Sequence, residues 1–241
     1  MSTSTLPGGD RRHARREATR KAILEAAESI VLEEGVEALK SKSLAERAGI
    51  SQRSLFNHFP NLNEVVLSRI TSYLTVLLSE PEIPSGLPTS EIPDALDWKF
   101  KASFDRPEAD HLFNSFLALS LRLDTEMVDL LGRHVVLTLA DVSSQIMEST
   151  TKNYPDLDFG QNIRIRMYIS NLTNGIAFGL LRGINRLGVL DSPACGAPEH
   201  DGAHFPKSFQ GTDALGLLNL ESLREDIDWA FEQVAIGRPR I

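Results

Sequence analysis

The segment SLAERAGISQRSLFNHF, residues 43–59, decides how the rest of the chain is interpreted. Its first half is a short stretch with helical apolar spacing that closes at Gly49, a residue type that readily ends a helix. Ser51 can then cap a second helix by accepting a hydrogen bond from a backbone N–H, and that helix must end before Pro60. Two short helices joined by so tight a turn predict a helix-turn-helix.

The second helix of this segment has an apolar flank and a polar flank. Residues three and four apart lie on one side of a helix, so Leu55, Phe56 and Phe59 can share a buried flank. We expect the packed side of the whole segment to consist of Leu44, Ala45, Ala48, Ile50, Leu55 and Phe59. The other side of the second helix carries Gln52, Arg53, Ser54, Asn57 and His58. In a helix-turn-helix this polar flank faces the major groove, whereas in most amphipathic helices it is simply solvated.

Helical patterns continue upstream of the helix-turn-helix. A supporting helix is predicted to end at Gly35, with the glycine in a left-handed conformation. The next helix begins either at Ser41 or at the Ser43…Glu46 spacing of a capping box. The predicted DNA-binding domain therefore covers residues 17–68.

The N-terminal end of the chain is basic although the whole chain is acidic. The formal net charge is −8 over 241 residues, yet the first 21 residues carry +4. Residues 1–16 contain almost nothing to bury and are predicted to form a disordered basic arm. Such an arm suits a phosphate backbone, while the overall charge argues against a protein that coats nucleic acid without sequence preference.

The remainder of the chain is predicted to be helical as well. Asn61 or Asn63 can cap a fourth helix that continues to about residue 79, and the Pro/Gly-rich segment 80–88 marks a domain break. A second domain follows over residues 85–241, with a long Gly- and Pro-rich loop at 188–216. Its helices are predicted at about 89–104, 107–122, 125–152, 160–187 and 218–236.

Composition favours a cytoplasmic protein. The single cysteine, Cys195, cannot form an internal disulfide bond, and the polar sequence MSTSTLPGGD lacks the apolar core of a signal peptide. The longest uncharged apolar-rich run, Met167–Leu181, is shorter than the roughly 20 residues that span a bilayer. We therefore expect no membrane partner.

Over roughly residues 20–70 the sequence resembles the TetR family of transcriptional regulators. The resemblance rests on the Gly35 turn, on Ala48-Gly49-Ile50-Ser51, and on the run from Leu55 to Phe59 before a long fourth helix. It implies an all-α fold of about nine helices. A three-helix DNA-binding domain containing the helix-turn-helix would precede a helical domain for ligand binding and dimerisation.

The resemblance also implies which residues contact DNA. Gln52, Arg53 and Lys42 would contact bases, because Gln pairs with adenine and Arg or Lys pairs with guanine. Phosphate contacts would come from Ser41, Ser54, Asn57 and His58.

Two positions depart from the family pattern and remove phosphate contacts. Phe56 stands where a tyrosine is usual, and Leu62 where a lysine is usual at the start of the fourth helix. We expect the basic arm and Lys40 or Lys42 to compensate, because electrostatic affinity depends chiefly on how many phosphates are neutralised.

The resemblance places the last two long helices in a homodimer interface, which a two-fold symmetric operator also requires. Three glycines recur at four-residue spacing on the first of these helices, and an apolar stripe follows the second. The expected interface residues are Gly175, Gly179, Gly183, Leu220, Leu223, Ile227 and Phe231. The alternative is that the glycine face packs inside one subunit.

A small-molecule effector is expected to bind among the middle helices, whose aromatic and polar residues suit a mostly apolar pocket. The candidates are Trp98, Phe113, Phe116, Arg122, Tyr168, Asn171 and Asn174. The same residues also describe an ordinary core, and none of them fixes the chemistry of the ligand.

The predicted function is a transcriptional repressor that a small molecule releases from a palindromic operator. An enzyme or metal protein would have to use Cys195, Glu199, His200, Asp201 and His204 in the long loop, whose spacing is weak evidence for a metal site. We therefore expect no catalytic residue, no metal and no cofactor. The other alternative is a ligand-binding or scaffolding protein that has lost specific DNA binding.

Overall fold

The structure is a computed structural model that describes residues 7–79, 82–186 and 220–235. Within these residues the chain forms nine α-helices and no strand, which confirms the predicted all-α fold. Short 3-10 turns also occur at Val36–Ala38 and Thr89–Glu91. The helices are α1 (Pro7–Glu34), α2 (Ser41–Arg47), α3 (Gln52–His58), α4 (Leu62–Ser79), α5 (Ile92–Phe104), α6 (Ala109–Ser120), α7 (Thr125–Asn153), α8 (Phe159–Arg186) and α9 (Leu220–Ala235).

The chain divides into two compact units, Met1–Ile70 and Thr71–Ile241. The boundary falls inside α4, and not in the segment 80–88 where composition predicts a break. In the first half of α4, Val65, Val66, Leu67 and Ile70 are buried. A Pro/Gly-rich segment marks where a helix ends, but it does not reveal which unit each half of that helix packs against.

Helix α1 begins well before the predicted start. Residues 7–16, predicted to be disordered, are helical, and the prediction was wrong for them. Their Arg and Ala residues favour helix, and extending an existing helix is far easier than nucleating one. The side chains of residues 11–18 are all exposed. Low burial therefore did not imply disorder here.

The turn between α2 and α3 is closed by backbone hydrogen bonds. The Ile50 N–H donates to the Ala45 carbonyl at 2.9 Å, and the Gly49 N–H donates to the Glu46 carbonyl at 3.1 Å. This is a Schellman motif, and it requires the positive φ of 68° that Gly49 adopts. At the start of α3 the Ser51 side chain accepts from the Ser54 N–H at 3.1 Å, as predicted.

Other helix ends differ in detail from the prediction. Gly35 has a positive φ of 91° but a ψ of 163°, so it is not in the left-handed helical conformation. The capping box in α2 does not form, because the Ser43 hydroxyl donates to the Lys40 carbonyl at 3.0 Å. Of the two asparagines, Asn61 caps α4 by accepting from the Glu64 N–H at 2.8 Å.

In the C-terminal unit α8 packs closely against α9. A Cβ atom on Gly179 would lie 2.9 Å from the Ile227 side chain and 3.2 Å from its backbone. A Cβ atom on Gly175 would lie 3.1 Å from the Phe231 ring. The two glycines therefore allow two helices of the same chain to approach each other.

Several residues predicted to form the dimer interface instead pack against each other within one chain. Leu223, Ile227 and Phe231 are at most 5% exposed, because their side chains fill the space beside α8. The structure thus supports the alternative reading of the glycine face. For Gly183 and Leu220 only the helical backbone is described.

We predict opposite effects from two Gly→Ala substitutions on the free energy of unfolding. Gly179→Ala should destabilise the protein by about 1–3 kcal/mol, because the new methyl group meets the backbone of α9. Gly132→Ala is the control, since a Cβ atom there meets nothing within 4 Å. It should stabilise α7 by up to about 1 kcal/mol. Urea denaturation at one protein concentration measures both, and equal effects would contradict the packing explanation.

Candidate nucleic-acid interface and cavity

The polar flank of α3 lies on the surface. Gln52, Arg53 and Asn57 are exposed, and Ser54 and His58 are half-buried. Leu55 and Phe59 are buried on the opposite flank and hold the helix in place. Phe56 was expected on that buried flank, but it is 47% exposed, so the prediction was wrong for this residue.

The start of α2 lies beside the start of α3. The Ser41 hydroxyl lies 3.5 Å from the Gln52 side-chain oxygen, and Lys40 and Lys42 are exposed. All seven predicted DNA-contacting residues are thus at least partly accessible, and at Ser41 and Gln52 the two helices meet. This surface of α2 and α3 is called the polar face below.

Arg47 ties α2 to the end of α1. Its guanidinium donates to Ser29 and Glu33 at 2.8 Å and to Glu34 at 3.0 Å. The Ser29 hydroxyl also donates to Glu33 at 2.8 Å. These bonds from Ser29 and Arg47 hold the pKa of Glu33 below its ordinary value of 4.5. Sequence reasoning missed this network, because its members are 13 to 18 residues apart.

Two further contacts support the same unit. The Arg69 guanidinium of α4 donates to the Glu28 carboxylate of α1, at 2.8 Å from its Nε. The Arg20 guanidinium lies 4.2 Å from the centre of the Phe59 ring, so this cation contacts the chain's own core.

The cations of the predicted basic arm lie on one side of α1. Arg11, Arg12, Arg15 and Arg16 are all exposed. Their spacings of one and four residues place them within one broad face of a helix. Like charges at such spacings destabilise a helix slightly, as do cations near its positive N-terminal end. An anion beside this face would remove both penalties.

The predicted ligand-binding residues are not brought together. Phe113 and Phe116 are buried and stacked, and the Tyr168 hydroxyl donates to Asp97 at 2.6 Å. Trp98 is 51% exposed, and Arg122, Asn171 and Asn174 are exposed too. Three of the seven therefore belong to the core, as the alternative reading allowed, and four lie at the surface.

A cavity of about 170 Å³ lies elsewhere in the C-terminal unit, and none of the seven residues lines it. It opens between the end of α4, the segment after it, α5 and α7. Apolar and polar side chains alternate on its wall, which consists of Leu78, Ser79, Glu82, Ile83, Lys99, Val142, Gln145, Ile146 and Ser149. Helical periodicity could not reveal it, because its lining comes from four separate segments.

The last turn of α4, which forms one side of this cavity, is capped by two cations. Arg106 donates to the Val76 and Leu77 carbonyls at 2.7 and 2.9 Å. The Lys99 ammonium donates to the Leu78 and Ser79 carbonyls at 3.4 and 3.3 Å. These are the four carbonyls that a helix leaves without an internal partner, and cations are favourable at that end.

Candidate metal sites and membrane-spanning helices are absent from the described part of the chain. No group of three or more His, Cys, Asp or Glu residues there could hold a metal ion. The alternative metal ligands Cys195, Glu199, His200, Asp201 and His204 lie outside the described residues. No helix among residues 7–79, 82–186 and 220–235 has the length and apolar character to cross a membrane.

We predict that Arg47→Met raises the pKa of Glu33 toward 4.5. Folding lowers the pKa of Glu33, so its bonds to Ser29 and Arg47 stabilise the folded protein at pH values above the ordinary pKa of 4.5. This stabilisation is lost as the pH falls through the pKa that Glu33 has in the folded protein. An NMR titration of the Glu33 carboxyl carbon measures the shift. Lys21→Met is the control, because Lys21 pairs with Glu25 and not with Glu33. An unchanged Glu33 pKa in Arg47→Met would contradict the proposed cause.

A match to a known protein family agrees with this geometry. The family described as "Bacterial regulatory proteins, tetR family" matches residues 23–68. No curated protein sequence matches the chain.

Three solved structures are similar over most of their length. The "Flavonoid-responsive Regulator FrrA" is 16% identical, with 92% of this chain and 98% of that chain covered and a TM-score of 0.40. A TetR-family transcriptional regulator from Rhodococcus sp. is 19% identical, with coverages of 90% and 98% and a TM-score of 0.42. A TetR-family transcriptional regulator from Mesorhizobium loti is 15% identical, with coverages of 91% and 98% and a TM-score of 0.35.

The family match spans the end of α1, the whole helix-turn-helix and the first part of α4. Those helices carry the polar face and the contacts that hold it in place. Residues 23–68 therefore match the tetR family of bacterial regulatory proteins, which supports a transcriptional regulator whose DNA-binding domain includes these residues.

Proposed function

We propose that the protein is a repressor that binds a palindromic DNA operator as a homodimer and is released from it by a small molecule. The observation that carries the proposal is the exposed polar face, with Gln52 and Arg53 at the start of α3. In a helix-turn-helix, residues at the N-terminal end of the second helix read base edges in the major groove. The repression and the release are drawn from the resemblance to the family.

The proposed contacts fall into two classes. Gln52, Arg53 and Lys42 read bases, and a good bidentate contact discriminates by roughly 1–3 kcal/mol. Ser41, Ser54, Asn57 and His58 hold phosphates and fix the position of α3 on the duplex.

The Arg face of α1 supplies further phosphate contacts in this proposal. Its members are Arg11, Arg12, Arg15 and Arg16. Phe56 and Leu62 offer no such contact, so the exposed arginines and Lys40 supply the positive charge that those positions lack. Phosphate binding would also relieve the repulsion along this part of α1.

We predict different losses of DNA binding from the two classes of residue. Arg53→Ala should relax base preference at one position of each half-site and weaken specific binding by roughly 1–3 kcal/mol. The double variant Arg12→Ala, Arg16→Ala should weaken binding to all sequences and lower the salt dependence of affinity by roughly one unit of slope per lost contact. The measurement is fluorescence anisotropy at several salt concentrations, with DNA that the full-length protein has selected from genomic fragments.

Glu25→Gln, at an exposed acidic position of α1, is the control and should retain base preference. Wild-type protein that binds no selected fragment more tightly than random DNA would refute specific DNA binding. That result would favour the second candidate, a ligand-binding or scaffolding protein. The exposed Phe56 and the missing phosphate contacts are the observations that favour this candidate.

We further propose that the dimer forms through an exposed stripe on α8. Phe159, Ile163, Met167 and Phe178 are between 41% and 82% exposed, although they are large and apolar. Asn171 and Asn174 lie on the same side of the helix. Exposed apolar patches of this kind mark interfaces. A symmetric pair of chains can then present two α3 helices to half-sites about 34 Å apart.

We predict that the double variant Met167→Asp, Phe178→Asp is monomeric, because the dimer would bury two charges per chain without partners. Analytical ultracentrifugation should give one chain mass for this variant and two for the wild type. Val76→Asp, which places a charge on an exposed apolar residue of α4, is the control and should remain dimeric. A double variant that stays dimeric would exclude the α8 stripe as the interface.

A further inference from the structure

The 170 Å³ cavity has a chemistry that points to a particular class of ligand. An apolar cavity of about 150 Å³ holds a benzene molecule, so this one suits a ligand of about that size. Leu78, Ile83, Val142 and Ile146 provide apolar wall, and Lys99 provides a cation that is only 3% exposed. The wall thus has an apolar part and a polar part, and the polar part includes the buried Lys99.

Lys99 is part of both the cavity wall and the end of α4. Its ammonium donates to the Leu78 and Ser79 carbonyls at 3.4 and 3.3 Å, which is long for hydrogen bonds from a cation. A carboxylate accepts from an ammonium at about 2.7–2.9 Å and forms a bond roughly twice as strong as a neutral pair. A carboxylate in the cavity can therefore compete with the α4 carbonyls for the Lys99 ammonium.

Glu82 limits how much negative charge the ligand can carry. It also lines the cavity, and a second ligand carboxylate would meet this like charge. The neutral side chains of Gln145 and Ser149 can hydrogen-bond to a ligand of either charge state. A single carboxylate on a small apolar body matches all of these groups.

We propose that this cavity is the effector site, that it takes a small monocarboxylate, and that Lys99 selects the carboxylate. The inference rests on the proposed ligand-released DNA binding. It adds the ligand's chemical class and the residue that selects it. When Lys99 turns to the ligand, the last two carbonyls of α4 lose a capping partner while Arg106 still holds Val76 and Leu77. Ligand binding then alters the end of the helix whose first half belongs to the DNA-binding unit.

The test compares carboxylates with their uncharged amides on the full-length protein. The probes are benzoate against benzamide and butyrate against butyramide, with affinities measured by isothermal titration calorimetry. We expect at least one carboxylate to bind about tenfold or more tightly than its amide, as a charge-assisted bond implies. No preference in either pair would overturn the inference.

Three variants test whether Lys99 and the cavity cause the preference for carboxylates over amides. Lys99→Met should abolish it, whereas Lys101→Met should keep it, because Lys101 is exposed on the same helix and pairs with Asp228 at 3.1 Å. Gln145→Trp fills the cavity from an exposed position of α7, so it should exclude benzoate and butyrate even if Lys99→Met fails to fold. Full carboxylate affinity in Gln145→Trp would overturn the assignment of the site.

Measurements of DNA affinity distinguish a failure of this inference from a failure of the proposed function. In wild-type protein, a bound carboxylate should lower affinity for the selected DNA, and Lys99→Met should bind that DNA equally with and without benzoate. Specific DNA binding without carboxylate binding would overturn the inference and leave the proposed function standing. Carboxylate binding without specific DNA binding would refute the proposed function, and carboxylate binding that leaves DNA affinity unchanged would overturn the coupling through α4.

Discussion

Helix ends are the constraint on which this structure depends. Each helix leaves four N–H and four carbonyl groups without internal partners, and the described residues alone form nine helices. The chain meets it with the backbone turn at Gly49, with the Ser51 and Asn61 side chains, and with cations at the end of α4. Arg224 of α9 likewise donates to the Phe104 carbonyl that ends α5. The same bonds that end the helices therefore also hold one helix to another.

The local end bonds and the long-range ones have different consequences for function. Gly49 and Ser51 act within a few residues, so they set the direction of α3 and present Gln52 and Arg53 at its exposed start. Lys99 and Arg106 act across 20 to 30 residues and connect α5 and the turn after it to the end of α4. The proposed DNA recognition thus depends on local geometry, whereas the proposed response to a ligand in the cavity depends on contacts between distant segments.

The glycines of α8 show how a correct pattern can have more than one structural meaning. Four-residue spacing indicates that a helix approaches another helix closely. It does not indicate whether that partner belongs to the same chain, and Gly175 and Gly179 meet Phe231 and Ile227 of α9. Apolar spacing likewise predicted that Phe56 lies on a buried flank, but its side chain is exposed. Helical phase shows which side of a helix a residue faces, but not how far the neighbouring helix extends.

The amino-acid sequence was enough to predict the all-α fold, the helix-turn-helix and the polar face, because glycine turns, N-caps and helical periodicity act over short distances. It also yielded the family resemblance that the match to residues 23–68 supports. Three features emerge only from the packing of the helices: α4 belongs to both units, the glycine face packs within the chain, and Lys99 lines a cavity. The physical reason is that these features join residues far apart in the chain, and their contacts exist only after the helices have packed.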